Sequence, residues 1–120
     1  MTWNQTIGTR GEALVVEYLH SLGFTVIEMN WRSGRSEVDL IVQRKKELHF
    51  IEVKTRTTDT FGLPEERITK SKLTALAKAA EQFLLLNPAW KEVIFDVLSI
   101  AILHSQLPEF YLIEDFRINL

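Results

Sequence analysis

Glu52 and Lys54 stand two residues apart within Leu48-His49-Phe50-Ile51-Glu52-Val53-Lys54-Thr55-Arg56, and Asp39 lies upstream within Ser36-Glu37-Val38-Asp39-Leu40-Ile41-Val42. In an extended strand residues i and i+2 share a face, so Glu52 and Lys54 point together while Ile51 and Val53 point the other way. By the same alternation Glu37, Asp39 and Ile41 share one face of the earlier segment. The polar run 43–47 is short enough to join the two segments as antiparallel neighbours, which lets Asp39 approach Glu52 across the ladder. Two carboxylates at a few ångströms repel unless one is protonated or a cation lies between them. A small set of hard oxygen ligands suits Mg²⁺ or Mn²⁺, whereas Zn²⁺ prefers His and Cys. Lys54 would add a positive charge beside a phosphate or a nucleophilic water. The chemistry these residue types suit is hydrolysis of a phosphodiester bond.

The elements that must position them are legible in the apolar pattern. A helix is expected from the first residues to Leu22, with Gly8, Glu12, Val15, Leu19 and Leu22 on one stripe, closed by Gly23. Strands are expected over Phe24 to Trp31, 36–43 and 47–56. The polar segment Thr57 to Glu66, containing Gly62 and Pro64, reads as a loop leaving the last of these. Leu73, Leu76, Ala77, Ala80, Phe83 and Leu84 recur at helical spacing between Thr69 and Leu86, and Asn87-Pro88 stops that helix. Val93 to Ala101 is an apolar strand, and Phe110 to Ile113 is a candidate edge strand. The expected order is α-β-β-β-α-β with a trailing strand, a mixed sheet flanked by helices in the α/β class.

Composition narrows the function classes. With 120 residues and 46% hydrophobic content, one domain with a real core is expected. The absence of cysteine excludes disulfides, thiolate metal sites and cysteine nucleophiles, and agrees with a reducing cytosol. There is no basic-then-apolar leader and no apolar run of membrane-spanning length, so a cytoplasmic protein without a membrane partner is expected. The net charge of −2 argues mildly against nucleic-acid binding, yet 11 of the 14 Lys and Arg residues fall between Asn30 and Lys78 against 7 of the 16 acids. That stretch nets +4, and the flanks are correspondingly acidic.

Other residues carry two readings each. Glu12 sits on the apolar stripe of the first helix, where an ionised carboxylate costs several kcal/mol unless paired, which favours a ligand role. The spacing Thr9-x-x-Glu12 also fits a helix-start capping box. Arg56 continues the Glu52 and Lys54 face, and Lys72 lies in the first turns of the second helix. With Arg32 and Arg35 they are candidates for phosphate contacts, or else solvated charges and ion-pair partners of the acids. Asp96, on an apolar strand, is expected to anchor a structural hydrogen bond. His20, His49 and His104 show no ligand spacing, and no Ser-His-Asp arrangement or phosphate loop is present. Trp3, Trp31 and Trp90 are of a type that can stack on bases, and are expected in the core or at interfaces.

Asp39 followed by Glu52-Val53-Lys54 resembles the D…(D/E)-x-K motif of the restriction-endonuclease-like nuclease superfamily. The fuller pattern resembles the small bacterial YraN family of nuclease-like proteins. It includes Gly8, Gly11-Glu12, Asn30-Trp31-Arg32, Glu37-Val38-Asp39-Leu40-Ile41, Phe50 to Arg56, Phe61-Gly62-x-Pro64, Lys72 and Phe95-Asp96-Val97. Ser36 and Ile94 depart from that pattern, where Gly and Arg are more usual, and neither is a proposed ligand. The resemblance implies a single restriction-endonuclease-like domain over residues 1–120 and metal-dependent endonuclease activity on DNA. In that reading Asp39 and Glu52, with the carbonyl of Val53, hold Mg²⁺ or Mn²⁺, and Glu12 holds a metal-bound water or a second ion. Lys54 orients water or stabilises charge. Archaeal Holliday-junction resolvases share the layout, which implies a branched DNA substrate and a homodimer able to cut two symmetric strands. The alternative is a nucleic-acid-binding module of a DNA repair or recombination complex that keeps the acidic site without turnover.

Overall fold

The computed structural model describes residues 3–56, 69–102 and 107–115. Its elements run α1 (Trp3–Ser21), β1 (Thr25–Ser33), β2 (Ser36–Arg44), β3 (Glu47–Arg56), α2 (Lys70–Leu86), β4 (Glu92–Ala101) and β5 (Glu109–Ile113). This is the expected α-β-β-β-α-β order with a trailing strand. The expected loop after β3, including Phe61, Gly62 and Pro64, lies outside the described residues.

The strands form one five-stranded mixed sheet in the order β1-β2-β3-β4-β5. β1, β2 and β3 pair antiparallel in succession, β4 joins β3 in parallel after the α2 crossover, and β5 returns antiparallel to β4. Leu48, His49, Phe50 and Ile51 of the central strand β3 are buried in an unbroken run, as expected of a strand covered on both faces. On one face α1 packs Val15 and Leu19 against Leu40, Val42, Ile51 and Leu98. On the other, α2 packs Leu76, Ala80 and Phe83 against Ile41, Leu48 and Phe50. Fully burying each such side chain contributes about 1.5–3 kcal/mol, so the two cores lock the register of β3. A slip of one residue would turn Phe50 away from α2 and drive Glu52 and Lys54 into the α1 core.

α2 begins at Thr69, whose hydroxyl accepts the Lys72 N–H at 3.1 Å, and ends at Asn87 before Pro88. α1 is not continuous: Gly8 has φ 71 and ψ −179, a conformation open to glycine, and the helix is kinked there. The short piece before the kink folds back onto the sheet. There Trp3 is buried and donates its indole N–H to Asn30 Oδ1 at 3.0 Å. The buried stripe after the kink is Gly11, Val15 and Leu19. Glu12 therefore flanks that stripe instead of lying on it. Leu22 is exposed because the helix closes one residue earlier and the chain turns at Gly23 with φ 90. No helix among the described residues is long and apolar enough to cross a membrane.

A candidate metal and phosphate site beside the central strand

β2 and β3 pair from Arg44 and Glu47 to Leu40 and Ile51, where the recorded ladder stops. One step further the Asp39 carboxylate takes over as acceptor and receives the Val53 N–H at 2.8 Å. Glu52 and Lys54 share the face of Phe50, which α2 covers. In β2 the alternation breaks beside Asp39, since Val38 packs on the α2 side with Ile41 while Leu40 packs on the α1 side, and at this break the Asp39 carboxylate meets the Val53 N–H. The Asp39 carboxyl is thereby held at the rim of an apolar layer. Burial, and next the Glu52 carboxylate, push its pKa from 3.8 up to about 7, against the opposing hydrogen bond from Val53. Charge repulsion between Asp39 and Glu52, expected from the sequence, is thus present in the fold.

Lys54 answers one of these charges. Its Nζ lies 3.5 Å from Glu52 Oε1, with 18% and 26% of the two side chains exposed. Burial, then the neighbouring Lys72 ammonium, lower the Lys54 pKa, and Glu52 opposes them. Lys72 reaches this position because the Thr69 cap fixes the first turn of α2 beside β3. Glu52 and Lys72 also line one small concavity with Leu73 and Phe95. Two carboxylates and two ammonium groups therefore meet at one end of the α2 face.

The remaining expected residues are placed differently. Glu12 is half-buried on α1, whose core contacts lie on the opposite sheet face. Among the described residues no group of three or more His, Asp or Glu side chains is gathered to hold a metal. Glu37 lies 3.5 Å from Arg32 at the surface. Arg35 is exposed in the β1–β2 turn, and Arg56 is half-buried at the end of β3.

On the other face of the sheet a polar network is buried that the scattered histidines did not announce. His49 Nδ1 and Asp96 Oδ2 are 2.6 Å apart, with 1% and 0% of the side chains exposed. Glu47 Oε1 lies 3.3 Å from His49 Nε2. Asp96 Oδ1 accepts the Asp115 N–H at 2.8 Å, tying down the chain after β5. Burial alone would lower the His49 pKa, but the hydrogen bond and charge of Asp96, with Glu47, raise it above 6.5. Asp96 is thus the structural anchor expected of it. The only sequence signal for His49 was a histidine inside a wholly apolar strand, where an unpaired ring nitrogen would be costly.

A sequence profile of the Uncharacterised protein family UPF0102 matches residues 11–100. UPF0102 proteins from Mycolicibacterium vanbaalenii and Dictyoglomus thermophilum are 40% and 38% identical, over 86% and 85% of this chain and 86% and 87% of their own lengths. One from Rhodococcus opacus is 38% identical over 96% of this chain and 98% of its own. Among solved structures, Hjc of Archaeoglobus fulgidus, a Holliday junction resolvase, aligns with a TM-score of 0.45 at 19% identity, covering 87% of this chain and 75% of that one. With Asp39, Glu52 and Lys54 inside the matched span, and relatives aligned over nearly their whole lengths, the chain belongs to the UPF0102 family, the YraN family.

Proposed function

We propose that this protein is a metal-dependent endonuclease that hydrolyses phosphodiester bonds of DNA. The observation that carries the reading is the Asp39–Glu52 pair beside the α2 core, where burial, and next the Glu52 charge, push the Asp39 carboxyl to about 7. Such a pair is destabilising by itself and is relieved by a cation, so the donor set fits a hard divalent ion. Asp39 and Glu52, with the carbonyl of Val53, would hold Mg²⁺ or Mn²⁺. A bound divalent ion supplies a water of lowered pKa and neutralises non-bridging phosphate oxygens.

The chain's own groups account for the rest. Lys54, next to Glu52, orients the attacking water or meets the charge that grows on the phosphate in the transition state. Lys72 adds a second ammonium on the same side and holds the scissile strand, and Arg56, two residues beyond Lys54, extends that contact along the backbone. The hydrogen bond from Val53 keeps the Asp39 carboxylate in a fixed orientation. A branched junction as substrate, and a homodimer to cut it symmetrically, are the finer form of the proposal. They rest on the resemblance to junction resolvases.

The test is cleavage of a four-way junction, a flap and a linear duplex with Mg²⁺ or Mn²⁺, using Lys54→Ala and Glu52→Ala proteins as controls. Cutting that both substitutions abolish supports the nuclease and ranks its substrates. Metal binding without cleavage of any of them would favour the second reading, a DNA-binding module that has kept the site without turnover. The net charge of −2 is the observation on its side.

A further inference from the structure

At the far end of the sheet from Asp39 and Glu52, the β2–β3 turn and the connection from α2 to β4 enclose a surface pocket of about 430 Å³. Its lining includes Lys45, Lys46 and Lys91 around Trp90, with Glu92 as the opposing charge. The pocket is therefore cationic with an aromatic wall. Trp90 packs against the α2 core on one side, which fixes the ring in place, and borders the pocket on the other.

The lysine at the hairpin tip is held in an unfavourable backbone state. Lys45 has φ 56, in the left-handed region, within a two-residue turn where Gly or Asn is the usual occupant. Gln43 steadies that turn by donating its side-chain amide to the Lys45 carbonyl at 3.1 Å. A charge kept where glycine would be less strained points to a use for the charge.

Neighbouring concavities lie between the pocket and the site already described. A second cavity of about 440 Å³ shares Trp90 with it and runs between α2 and β4, past Leu84 and Val93 to Phe95. Phe95 in turn borders the concavity lined by Glu52 and Lys72. Along β2 the distance from Asp39 to Lys45 spans about six residues, roughly 20 Å at the rise of a strand.

We infer that the Lys45, Lys46, Lys91 and Trp90 pocket binds single-stranded nucleic acid, one base stacking on Trp90 while the lysines neutralise adjacent phosphates. The choice of a nucleic-acid strand over another aromatic anion rests on the phosphodiester reading of the Asp39–Glu52 site. A stacking platform in a cationic groove is the recurrent way to hold a strand without reading its sequence. Such a site would grip a displaced or unpaired arm of the substrate roughly 20 Å from the point of cleavage.

The experiment is titration of the full chain, in chelator so that nothing is cut, with an oligothymidylate, a duplex of equal length and thymidine monophosphate. Tryptophan fluorescence and anisotropy are followed at several salt concentrations. The oligomer is expected to bind tightest and to quench emission, with the quench lost in Trp90→Phe. Lys45→Gln with Lys46→Gln is expected to lower the salt slope by about 1.4, at about 0.7 per single-strand phosphate contact. Lys45→Gly separates folding from binding: it relieves the backbone, so stability holds or rises while oligomer affinity falls. An unchanged salt slope in the lysine variants, or a quench that survives Trp90→Phe, would overturn the inference. Tighter binding of the duplex, or equal binding of the monophosphate, would overturn it as well. Glu52→Gln should leave this binding intact while cleavage is lost. Wild-type protein that binds the oligomer here but cuts no substrate would sink the nuclease reading and leave the pocket standing.

Discussion

Replacing Asp39 with Asn tests the candidate site without any assay of activity. Asn keeps an acceptor for the Val53 N–H, which the carboxylate receives at 2.8 Å, and removes the charge facing Glu52. In metal-free buffer the folded Asp39 carboxyl holds its proton to a higher pH than the unfolded one. The folded state therefore binds more protons than the unfolded state between pH 3.8 and about 7, and wild-type stability falls as pH rises through that window. Full conversion of the shift sets an upper bound of roughly 4 kcal/mol. Water relaxing around this half-buried pair reduces the expectation to about 2 kcal/mol. Urea unfolding in chelator from about pH 5 to pH 8 should show Asp39→Asn gaining on wild type across the range, by about 2 kcal/mol at the alkaline end. The difference between the two proteins isolates this site, because His49 titrates equally in both. Adding Mg²⁺ at the alkaline end should stabilise the wild type and leave Asp39→Asn nearly unmoved. A difference that stays flat with pH, or an Asn protein that loses stability at high pH, would refute carboxylate repulsion and make Asp39 a structural residue.

The other network carries its own pH signature. Because the His49 pKa is raised above 6.5, the stabilisation from its contact with Asp96 is fully present below that pH and is lost as pH rises through the folded value. Asp96→Ala, made in the Asp39→Asn background, should flatten the remaining decline and cost about 3 kcal/mol in urea unfolding, since it strands a buried imidazole and the Asp115 N–H. Gly11→Ala would place a Cβ 2.5 Å from Ile7 Cβ, an overpacking of about 1–3 kcal/mol that should also release Trp3 and shift the tryptophan emission to the red. Thr69→Ala removes the cap of α2 and should cost about 1 kcal/mol, read from the urea midpoint. If the capped turn also positions Lys72, the same substitution should weaken DNA retention in a salt titration.

Much of the fold and part of the candidate site could be read before any coordinates. Alternation put Glu52 and Lys54 on one face, and the short polar run between the strands made β2 and β3 antiparallel neighbours, which brings Asp39 towards Glu52. Both are local properties of an extended chain. The helix stop at Asn87-Pro88 and the turn at Gly23 were equally local. Glu12 was harder, because three residues before Val15 is the edge of the helical stripe, and the buried positions there are Gly11, Val15 and Leu19.

The alternation of faces and the punctuation of the elements are local, since φ, ψ preferences and side-chain period act over a few residues. Which helix covers which face was decided only in the tertiary structure. So were the burial that drives the Asp39 carboxyl upward, the approach of Lys72 to Lys54, and the pairing of His49 with Asp96 across 47 residues of chain. Each depends on low dielectric and close packing between distant segments, and neither exists until the two cores close on the central strand.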